Sequence, residues 1–315
     1  MDCIIVMKKL FIPIFLLSSL VVVVTYFSMY HTQDTTKKRI TIVATTSIIA
    51  DSVRRVIGDH IVVHSLMGPG IDPHLYRARE SDVHKLAAAD LVFYNGLHLE
   101  GKMGQVLDGM QRFARTIAVA SCLDVTMLRA ADFSELYDPH IWFDILSWIA
   151  VVSYIQQSVI ALDPANEDIY IKNGDDYVRE LEQLHLYVQN RVNEIDVSKR
   201  ILITAHDAFG YFGAQYGFEV VGLQGLSTDC DISARDIQQL ADYIVDNAVP
   251  TIFVESSIPQ RAIVAVQNAV CARGWSVQIG PELYSDALGD DTTTACSYVG
   301  MIKYNVDAIV DSLKV

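Results

Sequence analysis

Cysteine is scarce in this chain, with five in 315 residues and one of those at position 3. None of the other four, Cys122, Cys230, Cys271 and Cys296, stands in a CxxC pair, which argues against a cysteine-built metal centre. Their even number permits disulfides outside the cytoplasm, and isolated buried thiols are the plainer expectation. Positive charge is also short. Lys and Arg number 24 against 38 Asp and Glu, a formal net charge of −14, and beyond residue 39 the balance is 19 basic against 36 acidic side chains. Such a surface argues against nucleic acid and against an anionic membrane surface as partners. It suits a soluble, cation-handling protein, although solubility alone explains the charge equally well. The chain contains no HExxH, GxSxG or P-loop pattern, so the common hydrolase and nucleotide-binding signatures are missing.

One long hydrophobic run is present, over residues 10–29, directly after Lys8-Lys9. A basic start and a long apolar stretch read as an export signal, and the length is about the 20 residues that a bilayer span needs. No small-x-small cleavage site is evident near Tyr26-Phe27-Ser28-Met29-Tyr30, and no Cys follows the run to form a lipobox. Residues 1–39 are therefore a signal peptide or an uncleaved membrane anchor, and the anchor is the preferred reading. Lys37-Lys38-Arg39 mildly opposes export, because positive charge prefers the inner side.

From Ile40 strand and helix patterns alternate. Residues 40–44, 61–66, 91–94 and 116–119 read as strands, with helices over 47–56 and 79–88. A second block follows Lys199, with strands over 201–204, 219–222, 251–255 and 277–279 and helices over 234–247 and 261–273. Alternation of this kind predicts parallel sheets flanked by helices. Between the blocks, Tyr177, Leu181, Leu184, Val188, Val192 and Ile195 recur at helical spacing. Pro164 after Asp163 suits a helix start, although Asn173-Gly174 would weaken the early turns. The expected architecture is α/β: an N-terminal lobe over 40–163, one long linking helix over 164–195 of roughly 45 Å, and a C-terminal lobe over 196–315.

Three histidines sit in recurring local patterns. Asp72-Pro73-His74 is echoed by Asp138-Pro139-His140, and His206 follows the strand-like run Ile201-Leu202-Ile203-Thr204. Asp286 lies in the turn-rich stretch Gly280-Pro281-Glu282-Leu283-Tyr284-Ser285-Asp286. Imidazole and carboxylate suit a borderline divalent metal, and loops at the carboxyl ends of parallel strands are where such folds bind ligands. Asp72, Asp138, Asp144 and Glu255 are candidate partners for ring N–H groups. Any single histidine of this kind is more often a hydrogen-bonded surface residue, and histidines 31, 60, 64, 84, 98 and 185 are read that way.

Longer motifs sharpen the picture. Leu66-Met67-Gly68-Pro69-Gly70-Ile71-Asp72-Pro73-His74-Leu75-Tyr76, Asp138-Pro139-His140-Ile141-Trp142, Thr204-Ala205-His206-Asp207-Ala208-Phe209-Gly210 and Leu283-Tyr284-Ser285-Asp286-Ala287-Leu288-Gly289 together resemble the TroA-like zinc and manganese group among the extracytoplasmic solute-binding proteins of ABC importers. Ala89-Asp90-Leu91-Val92-Phe93-Tyr94-Asn95-Gly96 and Phe253-Val254-Glu255-Ser256-Ser257 extend the resemblance over nearly everything from Ile40 onward. It implies two α/β lobes bridged by one long helix, and metal ligands at His74, His140, His206 and Asp286. Two departures from neighbouring branches bear on the metal. Residues 126–137 lack the histidine-rich loop of dedicated zinc importers, and His206 stands where the manganese-selective branch usually has Glu.

The resemblance implies a non-enzymatic binding protein. It would capture one Zn²⁺ or Mn²⁺ per chain between its lobes and deliver it to an ABC permease with its ATPase. A periplasmic or otherwise extracytoplasmic monomer is expected. The alternatives are a zinc-dependent hydrolase, which would need Glu255 as base beside an open metal position, and a surface adhesin.

Overall fold

The computed structural model describes residues 40–130 and 136–314. The hydrophobic run over 10–29, and its reading as signal or anchor, lie outside the described residues. Four short strands, β1 (Thr41–Ala44), β2 (Val62–Ser65), β3 (Leu91–Tyr94) and β4 (Arg115–Ala118), form one sheet in the order β2-β1-β3-β4, every pair parallel. In the C-terminal half β5 (Ile201–His206) pairs with β6 (Glu219–Gln224), and β7 (Thr251–Ile252) pairs with β8 (Gln278–Ile279), again in parallel. The Phe253 N–H donates to the Ile203 carbonyl, so the two pairs meet edge to edge. The C-terminal strands therefore repeat the N-terminal order, although the sequence carries no visible repeat.

The helices are α1 (Ser47–Ile57), α2 (Glu80–Ala88), α3 (Gly104–Met110), α4 (Ile145–Leu162), α5 (Glu167–Val192), α6 (Gly210–Tyr216), α7 (Ala234–Asp246), α8 (Arg261–Cys271) and α9 (Tyr298–Leu313). Local chemistry sets their ends. Thr46 caps α1 by accepting the Ile49 N–H, and Gly58 at φ +61° closes it in a conformation that a side chain would strain. Ser233 and Asp236 form a reciprocal capping box on α7.

The linking helix differs from its expected bounds. Its α-helical part is α5, 26 residues or about 39 Å long, preceded by a separate 3₁₀ turn over Pro164–Asn166. The Asp163 carboxylate accepts from both Asn166 Nδ2 and the Tyr170 hydroxyl, and so holds that tighter turn. Gly174 does not break the helix. A side chain there would collide with Gln156, whose amide donates to the Tyr170 and Ile171 carbonyls. The glycine thus makes room for a contact with α4. Along its buried stripe, Tyr170, Tyr177, Leu181, Leu184 and Val188, α5 packs on α1, α4 and α9. Each such burial contributes on the order of 1.5–3 kcal/mol.

Helix α4 was not expected. It is apolar nearly all round, and by length and composition it could cross a membrane. Ile145, Trp148, Val151, Val152, Ile155 and Val159 are instead buried against α1 and α5 in the core. One face is buried, but the other also carries apolar residues such as Leu146, Ile149 and Ile160, so the sequence shows no helical period. The largest apolar cluster joins both halves, running from Ile42 through Trp142, Tyr177 and Phe253 to Tyr298. Smaller clusters belong to one half each, around Ile203 and Val266 and around Val43 and Leu86. Cys122 is partly buried and the other described cysteines are exposed, all as free thiols.

Candidate metal centre

His74, His140, His206 and Asp286 come together from four separate chain segments, all buried, with one possible ligand atom from each lying within 4.8 Å of the others. His74 stands on the loop after β2. The Asp72 Oδ1 accepts its backbone N–H at 2.8 Å, which fixes the turn. His140 uses the same device, with Asp138 Oδ1 accepting the backbone N–H at 2.9 Å, and the same oxygen also holds ring Nδ1 at 2.8 Å. His206 ends β5. Both oxygens of Glu255 are spent on it, one on its backbone N–H at 2.9 Å and the other on ring Nδ1 at 2.6 Å. Asp286 is on the loop after β8.

These carboxylates hold the Nδ1 protons of His140 and His206 and aim the Nε2 atoms at a common point. His140 Nε2 lies 3.3 Å from His74 Nε2 and 3.5 Å from Asp286 Oδ1, and His206 Nε2 lies 3.4 Å from Asp286 Oδ2. Two atoms each bound at 2.0–2.1 Å to one tetrahedral zinc would be about 3.3 Å apart. His206 Nε2 and Asp286 Oδ1 are buried and have no hydrogen-bond partner among the described residues. Orphaned polar atoms of this kind are costly unless something between them completes the set, and a divalent cation does so.

The charge states are uneven. Burial pushes the His74 pKa down to about 3, more than the Asp286 charge can offset, so its ring is neutral. Burial also disfavours charge on His206, but Glu255 and Asp286 together outweigh it and raise its pKa well above the ordinary value. For Asp286, burial favours the protonated form, yet the His206, His74 and His140 rings hold its carboxyl far below the usual range. The site is thus already arranged around opposite charges.

Two of the anticipated ring partners behave differently from expectation. Asp144 caps α4 through the Leu146 N–H and the Ser147 hydroxyl and reaches no site histidine among its hydrogen bonds. Asp72 holds the backbone of His74, and its second oxygen accepts from Thr228. Other contributors went unassigned in the sequence. Trp142 lies edge-on to His140, and its Nε1–H donates to the Ser285 carbonyl beside Asp286. The Leu288 N–H donates to Ser47 Oγ, pinning the same loop to the start of α1. Asn95 Nδ2 donates to the Pro139 carbonyl. The loop carrying Asn95 passes through Gly96, Leu97 and His98, all at positive φ, a strain of about 1–3 kcal/mol for each non-glycine residue. Buried Glu100 holds that loop by accepting from Thr45 Oγ1 and the Asn95 and Gly96 N–H groups. Trp142 and Asn95 stand inside the motifs, but nothing in spacing announces what they touch.

A cavity of about 350 Å³ adjoins the centre, lined by His74, Arg129, Asp138, Asp207 and Ser227 among others. Of the four converging residues, His74 is the one on its wall.

Known proteins are similar to this chain over most of its length. Zinc-binding protein TroA of Treponema pallidum is 43% identical over 272 residues, covering 86% of this chain and 88% of that protein. Manganese-binding lipoprotein MntA of Bacillus subtilis is 42% identical over 277 residues, covering 88% and 90%. The solved structure of the periplasmic zinc-binding TroA superposes with a TM-score of 0.86 at 42% identity, over 87% of this chain and 99% of that one. Residues 42–312 match the ZnuA family, zinc-uptake complex component A, periplasmic, and to that family the chain belongs.

Proposed function

We propose that this chain is the extracytoplasmic binding component of an ABC-type metal importer. It captures one Zn²⁺ or Mn²⁺ and hands it to a permease driven by its ATPase. The observation that carries the reading is the buried convergence of three imidazoles and one carboxylate, with neighbouring donor atoms 3.3–3.5 Å apart. His74, His140, His206 and Asp286 are the ligands, two from each half. The names of the relatives, a zinc-binding protein and manganese-binding lipoproteins, support both metals and a transport role rather than catalysis. Three imidazoles favour zinc on intrinsic affinity, while availability and release also select the cargo.

The working division is an N-terminal lobe over 40–163, a linking segment over 164–195 and a C-terminal lobe over 196–315, acting as a monomer. The apolar run over 10–29 keeps the protein at the membrane. Equilibrium dialysis of residues 40–315 is expected to give one metal per chain, and a nanomolar site would correspond to about 12 kcal/mol. No binding, or several equivalents, overturns the reading. Metal content of protein from its native envelope decides between zinc and manganese. Loss of metal uptake in a deletion strain separates transport from adhesion. Mass spectrometry of the native N-terminus decides anchor against cleaved signal.

A further inference from the structure

The contacts that join the two halves fall into two kinds. Most are buried beside α5 or against the centre. The Tyr298 hydroxyl donates to the Trp142 carbonyl, Trp142 reaches Ser285, and Ser47 holds Leu288. Trp142, Leu288 and Tyr298 belong to the large apolar cluster. The second kind is polar: Arg129 donates to the Gly210 carbonyl, and two further contacts lie on the loop after β6. There Thr228 Oγ1 donates to Asp72 Oδ2 at 2.6 Å, and Asp229 pairs with Lys102. Neither pair belongs to an apolar cluster. The same loop, through Gly225, Leu226 and Ser227, lines the cavity that His74 also lines.

Asp72 is therefore shared. One oxygen holds the backbone of His74, and the other is held by a hydroxyl from the opposite half. Thr228 is nearly buried, at 9% exposure, so its hydroxyl bond faces little competition from water. We infer that Thr228 is a positioning residue for metal retention: through Asp72 it locks the His74 loop beside the cavity, and breaking this lock is the step that lets the cation leave. The inference rests on the reading of His74 as a ligand. Of the four converging residues His74 alone lines the cavity, and no carboxylate is bonded to its ring among the hydrogen bonds described. Its hold on the metal therefore depends on where its loop is kept. The Lys102–Asp229 pair is the weaker element of the lock, since Asp229 is half exposed and the pair is screened by salt.

The test is the dissociation rate of zinc from the full chain, followed by stopped flow against a chelator. Thr228→Val keeps the shape and removes the hydroxyl. It is expected to speed release about tenfold, the typical worth of a hydrogen bond to a charged acceptor. Thr228→Ser is expected to restore the wild-type rate, which a loss of packing alone would not explain. In the metal-free protein Thr228→Val should lower the melting temperature by a few degrees at most, as loss of one hydrogen bond does, and Thr228→Ser should restore it. Wild-type release from Thr228→Val overturns the inference, as does equally fast release from Thr228→Ser. A wild-type chain that binds no zinc in dialysis instead removes the proposed function itself, so the two failures are separable.

Discussion

The two halves present histidines to the same point in different ways. His206, at the end of a strand, has both oxygens of Glu255 committed to it, and among the described residues no guanidinium is paired with that carboxylate. His140 has one oxygen of Asp138, whose other oxygen has no hydrogen bond and lies 3.6 Å from Arg129 Nε. His74 has its backbone fixed and its ring backed by no carboxylate among the described hydrogen bonds. Asp286, the remaining anion, sits on the C-terminal side with Ser257 Oγ beside it at 3.3 Å. The C-terminal half thus brings the charge and the most firmly held ring. The N-terminal half brings two imidazoles set by loop turns. A dication needs both, but it should depend more on the half that neutralises it.

The largest expected effect tests that asymmetry directly. Asp286→Ala should weaken zinc by more than about a hundredfold, beyond the ten- to hundredfold typical of groups behind a ligand. His74→Ala should weaken it less, because the anion and both backed rings remain. Titration against a chelator of known affinity gives both constants, and the reverse order would break the comparison. Far-ultraviolet circular dichroism of both metal-free variants should match wild type, since neither residue is part of an apolar cluster.

Next in size are the supporting carboxylates. Glu255→Gln should cost about ten- to hundredfold in zinc affinity. Asp138→Asn should cost less, because Arg129 already draws on the charge that Asp138 offers His140. Equal losses would mean that the guanidinium has no influence on the ring.

Proton competition gives a smaller, graded effect. The His206 pKa in the metal-free protein lies well above its ordinary value, so near neutral pH a proton must leave before the metal binds. Apparent affinity should therefore fall as pH drops from about 8 to 6. His74, with a pKa of about 3, should contribute nothing over that range. Calorimetry in buffers of different ionisation enthalpy should count protons released on binding, and Glu255→Gln should reduce that count. An unchanged count would show that another group carries the proton.

The α/β class and most strand positions were legible because short β-branched runs alternate with periodic helices. The four converging residues were legible through their motifs. Helix α4 was not, because its outward face is largely apolar too and no polar face sets a period. The 3₁₀ turn before α5 was hidden because it depends on Asp163 reaching Tyr170. Asp144 looked like a ring partner from its place after His140, yet helix α4 needs it as a cap. Thr228, Ser47 and Trp142 bond to residues 156, 241 and 143 positions away. No local pattern encodes such pairs; only the folded chain brings them together.

The large apolar cluster shared by both sheets, α4, α5 and α9 also governs how the molecule comes apart. Side chains from Ile42 to Leu313 are packed into one body, so neither half can melt while the other keeps its interior dry. Heating should give a single calorimetric transition, with calorimetric and van't Hoff enthalpies in agreement. Expressed alone, either half would turn its share of that cluster outward, and the product should be an aggregate rather than a working half-site. Cooperativity of this kind ties the integrity of the metal centre to that of the whole chain.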